Sequence, residues 1–263
     1  MKKSIIIALA ILLGLPCMAA EQLPPREQTL KTLIKVNDHY LKKHPDPLLG
    51  IPYYSRKKVY EANIWTRAVY FEGLMALHSI YPDNRYYDYA YNWADGFDWG
   101  MRRDDTTTRN ADNYCAAQTY IDLYNLTPEP RMLTKTKACM NMLVNTPQVD
   151  DWTWIDAIQM GMPVLAKMSK LTGDQRYNEK AWDMYCWSRN TLAGGLFNEK
   201  EGLWWRDKDF VPPTRNPTAR TATGHVATAG LWPLSCVCLT RFLPTIPTVQ
   251  PTSPTSRPCV RQP

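Results

Sequence analysis

The chain has 263 residues, 44% of them hydrophobic and 21% charged, with a formal net charge of +6. That charge is lopsided: residues 214–263 hold five Arg and no acid, so the rest is nearly neutral and offers no basic face for nucleic acid. Cys115, Cys139 and Cys186 are scattered without metal-ligand spacing; they read as buried apolar thiols, and neither metal nor cofactor is expected.

The chain opens MKKSIIIALAILLGLPCMAAEQ. Lys2 and Lys3 form a basic start, Ile5 to Leu15 an apolar run, and Ala19 and Ala20 a small-residue site. Residues 1–20 therefore read as an export leader, too short for a membrane span. Lipoprotein processing at LGLPC is disfavoured by Pro16 before Cys17. No other stretch is apolar enough to cross a bilayer. An exported, periplasmic or secreted protein follows, with about 240 residues left for one domain.

Helix-type apolar spacing then recurs over 26–43, 65–81, 84–102, 112–125, 130–145, 154–171 and 175–190, with no strand-type alternation. His39 and His78 sit singly on these helices and read as core or surface side chains. Three segments repeat: LMALHSIYPDNRYYDYA, TYIDLYNLTPEPRMLTKT and PVLAKMSKLTGDQRYNEKA. Each ends a helix, turns and starts the next with an Arg, namely Arg85, Arg131 and Arg176, spaced 46 and 45 apart. A period of that length with two helices per unit predicts stacked αα-hairpins, either an open solenoid or a closed toroid. In a toroid the inner helices 65–81, 112–125 and 154–171 point their starts at one rim. Asn63 and Trp65, Asp112 and Asn113, and Trp154 and Asp156 would meet there. Ten Trp and fifteen Tyr against five Phe suit a surface that binds sugars, although a ring-rich core gives the same count.

The stretch DDWTWIDAIQMGMP gathers three acids and two tryptophans at a helix start. Asp150 and Asp151 read as capping acids, since a helix N-terminus favours carboxylates. Asp156 falls on the rim instead.

At RNADNYCAAQTYIDLY and at DDWTWIDAIQMGMPVLAKMSKLTGDQRY the chain resembles the unsaturated rhamnogalacturonyl hydrolases, glycoside hydrolase family 105, and their relatives in family 88. The resemblance covers roughly residues 26–213. It implies an all-α (α/α)6 barrel, incomplete in this chain, as a partial domain over 21–213. It also implies a substrate: an oligosaccharide capped by a 4,5-unsaturated uronic acid, from rhamnogalacturonan (pectin) or, alternatively, a glucuronyl equivalent. A carboxylic acid protonates C4=C5, water adds at C5, and the hemiketal opens to free the remaining sugar. By resemblance Asp156 is the acid and then the base for water, with Asp112 as second carboxylate. Trp154 walls the pocket and raises the acid's pKa, and Trp65 stacks on sugar. Asn113 and Arg206 stand near the substrate. Nothing in the sequence fixes an oligomeric state.

Residues 214–263 change character, with ten Thr, eight Pro and three Cys and no Asp, Glu or Lys. The family pattern would continue with a Trp-Ser-Arg-Gly-Asn-Gly-Trp segment whose Arg binds the uronate carboxylate; as written, it is absent. A shifted reading frame over Ala219 to Gly230 permits KDCYWSRGNGW, so a single-base deletion near Thr214 and a disordered, out-of-frame tail are expected. On that reading the family's function and this chain's own activity are separate questions, and a non-catalytic helical sugar- or protein-binding remnant is the alternative.

Overall fold

A computed structural model of the chain describes residues 24–53 and 57–213. The expected leader and the expected out-of-frame tail lie outside them. The chain divides into two units, residues 1–44 and 45–263. In the first, α1 (Arg26–Lys43) carries Glu27 in its opening turn and Lys42 and Lys43 in its last. Those charges oppose the helix dipole at both ends, and Glu27 pairs with Lys31 one turn on.

The second unit begins with a short antiparallel pair, β1 (Ile51–Tyr53) and β2 (Lys58–Tyr60). Three αα-hairpins follow. The first is α2 (Trp65–Ile80) and α3 (Asn84–Gly96). The second is α4 (Ala111–Tyr114) running into α5 (Ala117–Leu126), then α6 (Arg131–Val144). The third is α7 (Ile155–Thr172) and α8 (Arg176–Asn190). A second small pair, β3 (Phe197–Asn198) and β4 (Leu203–Trp204), comes after them. Strand pairing thus exists where no alternating pattern is legible, because runs of two or three residues are too short to carry a period.

Each hairpin packs on itself, and the first helices of successive hairpins touch: α2 meets α4 and α5, and both meet α7. The second helices form the other layer, with α6 against α8. This two-layer, mostly helical arrangement is that of the six-hairpin α/α barrel; the described residues supply three hairpins. The repeated arginines have a common local role. Arg85 pairs with Asp83, Arg131 with Glu129 and Arg176 with Asp174, each acid two residues upstream. Asp83 and Asp174 also accept the backbone N–H of the arginine they pair with, which turns the chain into the next helix.

The helix expected over 84–102 stops at Gly96. Asp98 and Trp99 take left-handed backbone conformations, which no α-helix accommodates. The core is built on the inner helices, and α7 buries twelve of its eighteen residues. Cys115 and Cys139 are buried free thiols, but Cys186 is half-buried and disulfide-bonded, which corrects its reading as an apolar thiol. Among the described residues, no helix is long and apolar enough to cross a membrane.

Candidate active site

The start of α7 fixes the site. Its N-cap residue is Trp154, in an extended conformation and without a side-chain cap. The free N–H of Ile155 instead donates to the backbone carbonyl of Arg206, 2.8 Å away, and Trp154 bridges Asp207 in an isolated β contact. Asp150 and Asp151 are therefore not capping acids. Asp150 is exposed. The side chain of Asp151 is buried, although the residue as a whole is half-buried, and takes a two-pronged ion pair from Arg109, with Nε donating to Oδ1 at 2.6 Å. Trp152 is fully buried and donates from Nε1 to the Tyr114 hydroxyl at 2.9 Å.

Asp156 lies in the first turn of α7 and is exposed. Asp112 lies in the first turn of α4, whose N-cap Asn110 accepts the Asp112 N–H at 2.8 Å. These two helices pack together, and the two carboxylates repel each other. Burial pushes the Asp112 carboxyl above its ordinary value, the Arg102 guanidinium opposes that rise, and Asp156 adds to it. Among the described residues, neither carboxylate accepts a hydrogen bond or joins an ion pair.

Trp65 opens α2 and is 40% exposed, a ring face available to a ligand. Trp154 is half-buried. Asn113 is engaged at both ends of its amide: Oδ1 accepts from Arg102 Nη1 at 3.3 Å, and Nδ2 donates to Thr108 Oγ1 at 3.0 Å. Arg206 reaches the start of α7 through its backbone, while its exposed guanidinium pairs with Asp207 at 2.7 Å and lies over the Phe210 ring. Asn63 is buried and donates to the Gly100 carbonyl at 3.2 Å, so it holds the loop that follows α3.

One turn further inside lies a carboxylate that sequence reasoning missed. Glu72 stands seven residues, two turns, after Trp65 on the same face of α2. Its Oε1 accepts from the Cys115 thiol at 3.1 Å, and its Oε2 accepts from Gln159 Nε2 at 2.7 Å. Cys115 follows Asp112 by three residues and Gln159 follows Asp156 by three. Glu72 therefore ties together the two segments that carry the acids. Burial pushes its carboxyl up, against the pull of those two bonds, and pushes the Cys115 thiol well up. Further in, Lys167 pairs with Asp122 at 2.7 Å.

Pro163 in the middle of α7 accounts for another polar group here. Lacking an N–H, it cannot satisfy the carbonyl of Gln159 one turn back. Gln118 Nε2 donates to that carbonyl at 3.1 Å and to the Met160 carbonyl at 3.3 Å. The Gln of CAAQ and the Pro of MGMP are thus structural complements.

Stacked αα-hairpins of this kind define the class of α/α-barrel proteins, and here two unpaired acids stand at adjacent inner-helix starts. The chain belongs to glycosyl hydrolase family 88, whose profile matches residues 34–253 and so continues beyond Pro213. It is 23% identical over 186 residues to an unsaturated 3S-rhamnoglycuronyl hydrolase of Alteromonas sp. (strain LOR), covering 61% of this chain and 43% of that protein. Its fold is similar to that of a glycosyl hydrolase family 88 protein from Bacteroides vulgatus, with TM-score 0.61 and 26% identity, over 71% of this chain and 53% of the other. It is also similar to a solved polysaccharide lyase, with TM-score 0.63 and 24% identity, over 73% and 54% of the two chains. The chain spans about half the length of the relatives it matches.

Proposed function

We propose that this pocket acts on oligosaccharides ending in a 4,5-unsaturated uronate, in the first instance galacturonyl-rhamnose fragments of pectin. The observation that carries the reading is the pair of unpaired carboxylates, Asp112 and Asp156, at the starts of two packed inner helices. Asp156 delivers a proton to C4, water adds at C5, and the same carboxylate takes the proton that water gives up. The hemiketal then opens, and the rest of the sugar leaves with its hydroxyl. Trp65 gives the sugar a ring to stack on, and Asn113 acts by orienting Arg102. The leader pattern supports an exported enzyme. The composition of residues 214–263 supports a frameshift there, which sequencing the encoding DNA tests.

One observation favours a neighbouring reading. Burial holds up Asp112, which suits it to be the proton donor with Asp156 as the base for water. The rhamnoglycuronyl name of the relative supports an unsaturated uronyl end beside rhamnose and names no particular uronic acid.

The test follows loss of the ultraviolet absorbance of the unsaturated uronate, with galacturonyl- and glucuronyl-capped disaccharides, on this chain and on a frame-restored form. Asp156→Asn is expected to lower turnover by about 10²–10⁴-fold while the protein stays folded. Asp112→Asn separates the roles: if Asp112 is the donor, its removal abolishes the loss of rate that wild type shows as pH rises through the raised pKa. No absorbance loss from either form with either sugar sinks the hydrolase reading. Calorimetric binding without turnover would favour the non-catalytic alternative.

A further inference from the structure

Gln159 stands on the face of α7 that carries Asp156. The two are three residues apart, so their side chains are neighbours on the helix surface. Gln159 is half-buried. Its Nε2 donates to Glu72 Oε2 at 2.7 Å. Among the described residues, its Oε1 accepts no hydrogen bond.

This amide can point only one way. One end presents two hydrogens and the other an acceptor. Turned over, Oε1 would face a carboxylate oxygen at bonding distance, and the two would repel. The carboxylate that decides the matter is itself fixed, because the fully buried Cys115 thiol donates to Glu72 Oε1 at 3.1 Å. A hydrogen bond to an ionised acceptor is roughly twice as strong as a neutral one. The main chain underneath is held too. Gln118 Nε2 donates to the Gln159 carbonyl at 3.1 Å and to the Met160 carbonyl at 3.3 Å, where Pro163 offers no N–H. Anchored at its amide and at its backbone, Gln159 has little rotamer freedom left to lose when a ligand arrives. The group it leaves unused is an acceptor, so the ligand group it suits is a donor.

We propose that Gln159 Oε1 accepts a hydrogen bond from a ring hydroxyl of the sugar held at the acid pair, and that Glu72 sets the polarity of that contact. The inference rests on the reading of Asp112 and Asp156 as the sugar-binding rim. In a 4,5-unsaturated uronate, C4 and C5 bear no hydroxyl, the C6 carboxylate has no proton to give, and O1 is in the glycosidic bond. The donor is therefore O2–H or O3–H. Gln159 selects a sugar in which that hydroxyl is free over one in which the same oxygen is methylated, esterified or missing. Glu72 is the positioning residue: it orients the amide and leaves the sugar to Gln159.

The probe is 4-deoxyuronyl-rhamnose, compared with forms that also lack the uronate O2 or O3. These sugars have no C4=C5 bond, so alkene hydration consumes none of them, and calorimetry on the full chain reads binding alone. Wild type is expected to bind one of the two further deoxy forms about 3- to 10-fold more weakly than the parent. Gln159→Met, of similar length but without the acceptor, is expected to bind the parent and that form alike. Glu72→Gln can turn an NH2 toward Gln159 and compete for Oε1, so the discrimination is expected to shrink. A strut that only held α2 and α7 together would weaken binding of every sugar equally in both variants. If wild type binds the parent and both deoxy forms alike, or if Gln159→Met keeps the discrimination, the Gln159 assignment is overturned while the pocket stands. Should Gln159→Met fail to fold, unchanged discrimination in Glu72→Gln overturns it. If wild type binds none of the three sugars, the sugar-binding reading fails and takes this inference with it.

Discussion

Replacing Asp151 with Asn distinguishes a buried ion pair from a helix cap. The Asp151 side chain is 4% exposed and that of Arg109 21%. Arg109 Nε donates to Asp151 Oδ1 at 2.6 Å and Nη2 to Oδ2, while Gln148 Nε2 adds a bond to Oδ1 at 3.0 Å. Asn keeps the shape, but its amide turns an NH2 toward a guanidinium that cannot lose its proton. Breaking a buried pair from one side costs about 3–5 kcal/mol. Arg109 retains Thr146 Oγ1 at 2.8 Å and the Gln148 carbonyl at 3.1 Å, so the lower end applies, about 3 kcal/mol. At about 2–4 °C per kcal/mol for a domain of this size, the melting temperature falls by about 6–12 °C. Asp150→Asn, at an exposed position, stays within about 0.5 kcal/mol of wild type. Thermal and urea unfolding of both variants read the difference. A cost for Asp151→Asn of about 1 kcal/mol or less, equal to that of Asp150→Asn, would be the cost of a cap and would refute the ion-pair argument.

Gly161→Ala is expected to destabilise by about 1–3 kcal/mol despite alanine's better helix propensity. Its Cβ would lie 2.7 Å from the Trp152 ring and from the Tyr114 hydroxyl, and near-ultraviolet dichroism would report the displaced tryptophan. Gln118→Ala leaves the Gln159 carbonyl without its side-chain donor and costs about 1–3 kcal/mol. In a Pro163→Ala background the restored N–H takes over that carbonyl and the cost shrinks, so urea unfolding of the four-member cycle would show coupling; additive costs would reject the complementarity. The raised carboxyl of Glu72 binds its proton more tightly in the folded than in the unfolded chain. Its contribution to stability is therefore greatest at acid pH and falls as pH rises from the ordinary glutamate value through the raised one. Glu72→Gln is expected to remove that part of the pH dependence, and an unchanged stability–pH curve would contradict it.

The helices were legible in the sequence because their determinants are local. Apolar spacing marks the buried face, Gly173 in a left-handed conformation ends α7, and Asp83 and Asp174 turn the chain into α3 and α8. The period of the arginines set the hairpin repeat, and the repeat put Asp112 and Asp156 on one rim before any distance was known. What the sequence could not specify was which group each acid faces. Asp151 looks like a cap beside its neighbours, but the partner that buries its charge, Arg109, is 42 residues away. Glu72 is one acid on an amphipathic helix until Cys115 and Gln159, 43 and 87 residues distant, close over its two oxygens. Arg102 falls inside a helical period that the left-handed Asp98 and Trp99 interrupt, and only the resulting loop carries it to Asn113 and Tyr60. Helix formation is decided within a turn or two of the chain. The ionisation and reach of these side chains are decided by burial and by charges that arrive from other hairpins, which is why only the tertiary structure fixed them.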